Sequence, residues 1–112
     1  MKKGLILLAA VFVLLFTSCA AEAWSLRVYN NCGRDILEVY VRPNSGASWG
    51  RDLTGRNYIK NGNSFDFTIP NYQSYNLRVV YKNGQSTNWV NIKGQTNRFY
   101  VNPNGHARWR WD

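Results

Sequence analysis

The sequence predicts an all-β domain, an antiparallel β-sandwich or small barrel of about seven to eight short strands, behind an N-terminal signal peptide. Three observations carry that expectation. From Ser25 onward apolar and polar residues alternate with a period of two. The alternating runs are rich in Val, Ile, Tyr, Phe and Trp, the residues that fit a pleated, half-buried surface. Clusters of Asn, Gly and Pro break the runs at short intervals, and no stretch of the domain has an amphipathic helical pattern.

The chain opens with Lys2 and Lys3, an apolar run from about Leu5 to Phe16, and small residues ending in Ala21-Glu22-Ala23. This is the build of an export signal, because an apolar run of about 12 residues is too short to anchor in a bilayer. Cleavage before Trp24 makes residues 1–23 the signal peptide and 24–112 a single β domain, secreted or periplasmic. The alternative is a lipoprotein signal over 1–18. Phe16-Thr17-Ser18-Cys19 resembles a lipobox, with Phe where Leu or Val is usual, and would leave Cys19 lipidated and the protein membrane-anchored. Membrane association is expected only in that case. With cleavage before Trp24, Cys32 is the sole remaining thiol, expected to be buried and inert rather than paired with another chain, because cysteine behaves as a small hydrophobe in cores.

Candidate strands follow at 25–30, 35–42, 57–60, 63–69, 74–82, 85–92, 96–101 and 106–111. Asn83-Gly84 reads as a two-residue type I′ hairpin, since both residues tolerate positive φ. That register pairs Val80 with Thr87, Arg78 with Trp89 and Leu77 with Val90. It points Val90 and Ile92 inward and offers Arg78 and Trp89 as a cation–π pair on the outer face. Asn102-Pro103-Asn104-Gly105 fits a type I turn closed by a left-handed Gly, a three-residue loop. Tyr100 then faces Arg108 and Arg98 faces Arg110. One face carries Arg98, Tyr100, His106, Arg108 and Arg110, while Phe99, Val101, Ala107, Trp109 and Trp111 point into the core. Between the second and third runs, residues 43–57 form the least regular segment, where Trp49 and Leu53 are expected to pin the loop to the core edge.

These residues resemble a group of small exported bacterial β-domain proteins. The matching stretches are Asn31-Cys32-Gly33-Arg34-Asp35-Ile36, Tyr40-Val41-Arg42-Pro43, Trp49-Gly50-Arg51-Asp52-Leu53, Ile59-Lys60-Asn61-Gly62-Asn63-Ser64, Tyr75-Asn76-Leu77-Arg78-Val79 and Asn83-Gly84. The group's pattern is an Asn-x-Thr-Gly-like turn, Trp-Gly-x-Asp-Leu, and a Tyr-Asp-Leu-Arg strand, and it covers about residues 30 to 92. The resemblance implies a secreted β domain and brings no established activity. This chain departs from it with Cys32 for Thr and with Asn76 and Asn83 for Asp. Losing two acidic positions argues against a divalent metal site.

The chain has 14 Lys plus Arg against 6 Asp plus Glu, a formal charge of +8. Arginine dominates within the domain. Such a charge attracts acidic partners over long range; for an exported protein these are anionic glycan, envelope polymer or acidic protein, with no nucleic acid expected. Catalysis finds little to work with. His106 is the only histidine, Asp35 and Glu38 fall on opposite strand faces by parity, and no nucleophile elbow, phosphate loop, metal-binding His/Cys pattern or dinucleotide motif is present. No enzyme activity and no cofactor are expected.

The reading that emerges is a non-catalytic binding module with a basic Arg/aromatic face built on Arg98, Tyr100, Arg108 and Arg110, with Arg78 and Trp89 as a further surface. One alternative is a small inhibitor or assembly partner of an envelope protein, presenting Trp49 and Asp52 from the 43–57 loop. Another is a membrane-active cationic protein working through its last residues, HARWRWD. That one requires Trp109 and Trp111 to leave the core.

Overall fold

The structure, a computed structural model, describes residues 23–46 and 48–111. Cys19 and nearly all of the export segment lie outside the described residues. Seven strands form: β1 (Ala23–Asn30), β2 (Ile36–Pro43), β3 (Ser64–Pro70), β4 (Ser74–Tyr81), β5 (Ser86–Lys93), β6 (Arg98–Val101) and β7 (Ala107–Arg110). They make a four-stranded sheet ordered β3-β1-β6-β7 and a three-stranded sheet ordered β2-β4-β5. The all-β expectation holds.

Period-two alternation selects the buried side of the strands, except in β2, where a bulge between Ile36 and Glu38 puts Ile36 and Val39 on one side. Leu26, Val28, Phe67, Ile69, Phe99 and Val101 come from one sheet, Ile36, Val39, Tyr75, Leu77, Val79, Tyr81 and Ile92 from the other, and all join one apolar core. All neighbouring strands pair antiparallel except β1 and β6, which run parallel from Arg27↔Arg98 to Asn30↔Val101.

Residues 57–60 are not a strand, contrary to expectation. Ile59 makes a single bridge to Ile36 and plugs the core at 1% exposure. Its N–H and carbonyl both bond to Ile36 at 2.9 Å, and the carbonyl also accepts from Nδ2 of fully buried Asn30 at 2.7 Å, which donates to the Arg34 carbonyl at 2.8 Å as well. Asn30 Oδ1 accepts the Cys32 N–H at 3.1 Å and the Cys32 thiol at 2.9 Å. Cys32 is buried and unpaired, as expected.

The β4–β5 hairpin departs from its expected register by one residue. Val80 pairs with Ser86, Val79 with Thr87 and Leu77 with Trp89. The turn is a three-residue one, with Tyr81 N–H donating to the Gln85 carbonyl at 2.8 Å, and Gly84 alone of the Asn-Gly pair takes positive φ, 85°. The cause is the Asn83 side chain, whose Oδ1 accepts the Gln85 N–H at 3.0 Å and holds the turn in an Asx form rather than type I′. One step of slip exchanges strand faces, so Trp89 points inward and Val90 is 59% exposed. A bulge then restores the inward side at Ile92, opposite Tyr75, with Asn91 at φ 57°.

The β6–β7 register is as expected, Arg98↔Arg110 and Tyr100↔Arg108, although Asn104 as well as Gly105 takes positive φ, so the turn is not type I. The expected burial of Trp109 and Trp111 is not found. They are 38% and 56% exposed. The cause is position: β7 is the edge of the four-stranded sheet, and the facing sheet has one strand fewer. Trp89 reaches across from β5 only as far as Phe99, with ring centroids 5.0 Å apart. Trp109 stacks on Phe99 at 5.3 Å and 5°, and 38% of it stays in solvent.

Candidate functional site

β1 and β6 each carry an Arg-x-Tyr triplet, Arg27-Val28-Tyr29 and Arg98-Phe99-Tyr100. Their parallel, in-register pairing sets Arg27 beside Arg98 and Tyr29 beside Tyr100. On one flank β7 adds Arg110 opposite Arg98 and Arg108 opposite Tyr100. On the other, β3 adds Asp66 opposite Arg27 and Ser64 opposite Tyr29. The outward face of this sheet therefore shows two rows across the strands. One runs Asp66, Arg27, Arg98, Arg110, and the other runs Ser64, Tyr29, Tyr100, Arg108, with neighbours about 4.8 Å apart along each row.

The tyrosines stack on each other, centroids 4.5 Å apart and 11° from parallel. The Arg110 guanidinium carbon lies 5.8 Å from the Tyr100 centroid, and Arg110 Nη2 donates to the Tyr100 hydroxyl at 3.4 Å. Tyr100 thus has one ring face taken by Tyr29, with Arg110 beside its hydroxyl. At the far end, Arg27 grips Asp66 with two hydrogen bonds of 2.7 and 2.8 Å. The pair is about half exposed. The Arg27 hydrogen bond holds the Asp66 carboxyl below the usual carboxylate range, and Asp66 in turn pushes Arg27 further up. Where β6 meets β7, Asn31, Tyr100, Asn102, Arg108, Trp109 and Arg110 line a depression of about 290 Å³. Of the described carboxylates only Asp66 lies on this face.

The structure brings together Arg98, Tyr100, Arg108 and Arg110 as the sequence indicated, and adds Arg27 and Tyr29, which sequence reasoning missed. The repeated Arg-x-Tyr triplet was the available signal. Arg78 and Trp89, expected as an outer pair, are on opposite sides of their sheet because of the register shift. Arg78 lies 6.0 Å over Tyr40, whose hydroxyl donates to the Glu38 carboxylate; that bond is the main cause pushing the Tyr40 phenol up to about 12. Trp89 instead donates from Nε1 to the Gly105 carbonyl at 3.2 Å.

In the 43–57 loop, Leu53 packs on the core as expected. Trp49 does not join it; its ring lies 4.1 Å under the Arg42 guanidinium. Asp52 Oδ1 accepts the Val39 and Thr54 N–H groups, each at 3.0 Å, and Oδ2 accepts the Thr54 hydroxyl at 2.7 Å. Its oxygens hold the loop to β2. A second cleft, about 590 Å³, opens between the β4–β5 and β6–β7 turns, with Cys32 and Tyr81 among its lining residues. Among the described residues no three His, Cys, Asp or Glu side chains come together as a metal site requires.

Fold and face together define a seven-stranded, two-sheet β domain with one basic sheet surface. Neither a protein-family model nor a curated protein matches the chain. Among solved structures, the NMR structure of a protein from Eubacterium rectale is similar, with a TM-score of 0.55 at 13% sequence identity, over 81% of this chain and 89% of that one. The likeness is one of fold.

Proposed function

We propose that the protein is an exported, non-catalytic binding module that holds a polyanion, an anionic glycan or phosphate-bearing envelope polymer, on the outer face of its four-stranded sheet. The observation that carries this reading is the in-register row of Arg27, Arg98 and Arg110 with Arg108 beside it, against Asp66 as the one described carboxylate. Guanidinium groups take phosphate, sulfate and carboxylate oxygens two at a time. With the Tyr29 and Tyr100 rings stacked on each other, the face suits charged oxygens better than neutral sugar rings. An acidic protein is a less favoured partner, and presentation of the 43–57 loop to an envelope protein has less support still, because Asp52 is occupied by its own backbone.

The test is titration of soluble polyphosphate and of dextran sulfate into the protein at two salt concentrations. Binding that weakens with salt, and weakens further in Arg108→Ala/Arg110→Ala, is the expected result. Isotherms unchanged by the double substitution would remove the face from consideration.

A further inference from the structure

The two largest exposed aromatic side chains of the β7 strand and its exit sit at the same sheet edge as Arg108 and Arg110, on the core side of the strand that turns those arginines outward. Trp109 is 38% and Trp111 56% exposed, at an open sheet edge where no strand covers them. Arg108 and Arg110 alternate with them, and the Lys93 ammonium lies 5.6 Å over the Trp111 ring. The depression of about 290 Å³ is where the two kinds of group meet, because Trp109 lines it together with Arg108, Arg110 and Tyr100.

Binding a soluble polymer requires the cations but gives no reason to hold two indoles in water. A lipid–water interface gives one. Indoles favour the headgroup level, where an apolar body and a polar N–H are both satisfied, and guanidinium groups favour the anionic phosphates at the same depth. One face of the Trp109 ring is covered by Phe99, so that residue is anchored to the core while its outer side remains available. The one described carboxylate of the face, Asp66, lies on β3, the opposite edge of the sheet. Among the described residues the charge is therefore most positive at the β7 edge.

We infer that the β7 edge docks on an anionic lipid surface, with phosphate headgroups against Arg108 and Arg110 and the Trp109 and Trp111 rings at the headgroup–acyl boundary. The inference rests on the polyanion reading above and names the source of the anionic groups. Nothing in it requires a lipid on Cys19 or unfolding of the last strand, since both indoles are already outside the core.

The experiment is co-sedimentation of the purified protein with phosphatidylcholine vesicles and with vesicles containing phosphatidylglycerol, beside a soluble polyphosphate arm. All variants share residues 1–23, so any contribution of that segment cancels between them, and the neutral vesicles measure it. Wild type is expected to sediment more with the anionic vesicles than with the neutral ones. Arg108→Ala/Arg110→Ala should lower that partitioning roughly thirtyfold, the factor that about 1 kcal/mol for each guanidinium at an anionic surface gives for two. Trp109→Ser/Trp111→Ser should lower it at least about tenfold and leave polyphosphate binding intact. Should that double variant lose its fold, quenching of wild-type tryptophan fluorescence by brominated lipid, compared with Trp111→Ser alone, reads the same contact. Polyphosphate binding without vesicle binding, vesicle binding indifferent to Trp111, or absent quenching overturns the docking and leaves the polyanion reading standing. Failure of both arms overturns both.

Discussion

Replacing Asn30 with Ala tests the physical account of the fold at its most concentrated point. The side chain is fully buried and makes four hydrogen bonds, two donated to the Arg34 and Ile59 carbonyls and two accepted from the Cys32 N–H and thiol. Each neutral hydrogen bond is worth about 1 kcal/mol net, and a buried group left without its partner costs about 1 to 3 kcal/mol. The thiol is a weak donor, so the loss works out at roughly 3 to 5 kcal/mol. A domain of about 90 residues has only about 5 to 13 kcal/mol of stability. With an m-value of about 1 to 2 kcal/mol/M in urea, the unfolding midpoint should fall by roughly 2 to 3 M. The assay is urea unfolding followed by tryptophan fluorescence, with Cys32→Ala as comparator, expected to lose about 1 to 2 kcal/mol through its small buried side chain. A midpoint shift in Asn30→Ala no larger than that of Cys32→Ala, at unchanged m, refutes the role given to Asn30.

Three further outcomes follow from named contacts. At Gly94 a Cβ would stand 1.9 Å from the Tyr72 carbonyl oxygen and 2.7 Å from that of Gln73; both are backbone atoms, so Gly94→Ala should cost about 3 kcal/mol or more in thermal or urea unfolding, and a wild-type melting temperature would contradict the close approach. The Tyr40 phenol is pushed up to about 12 by its bond to Glu38, and burial raises Tyr75 and Tyr81. These groups keep their protons in the folded chain after unfolded tyrosine, near 10, has lost its own, so their contribution is present below pH about 10 and is lost as pH rises through the folded values. Absorbance at about 295 nm against pH, alongside stability, checks this; titration of every tyrosine at the ordinary value would contradict it. Asp66→Asn removes the one described carboxylate of the basic face and the partner of Arg27. Polyphosphate affinity should rise several-fold while the melting temperature at pH 7 barely moves, because the pair is half exposed and solvent-screened; a fall in affinity would contradict the electrostatic reading.

What could be read from the sequence was what is local. Strand positions were legible because each strand has one buried side. The β6–β7 register was legible because only one pairing sorts Arg98, Tyr100, Arg108 and Arg110 from Phe99, Val101 and Trp109. The β4–β5 register was not, because two pairings look equally good: a regular strand with Val90 and Ile92 both inward, or the observed one, in which Trp89 points inward and a bulge at Asn91 returns Ile92 to the core. The decision fell to the Asn83 side chain, a hydrogen bond that dipeptide preference does not reveal. Exposure failed at the edge for a related reason. Alternation told which side Trp109 faces, and strand order, which it does not encode, told whether anything lies opposite. The Arg27 and Tyr29 half of the site depends on a parallel pairing between strands far apart in the chain, with no turn to announce it.

That parallel pairing also links the fold to the site. It closes the four-stranded sheet, yet it places Arg27 beside Arg98, and the adjoining hairpin places Arg98 opposite Arg110. Like charges set directly across strands destabilise a sheet, and solubility alone is served by interspersed signs. The stacking of Tyr100 between Tyr29 and Arg110, and the clasp of Asp66 on Arg27, act against that repulsion. An anion laid across the rows would relieve more of it. On the polyanion reading proposed above, binding would lower the electrostatic cost of this face, and by linkage polyphosphate should stabilise the folded domain as its occupancy rises.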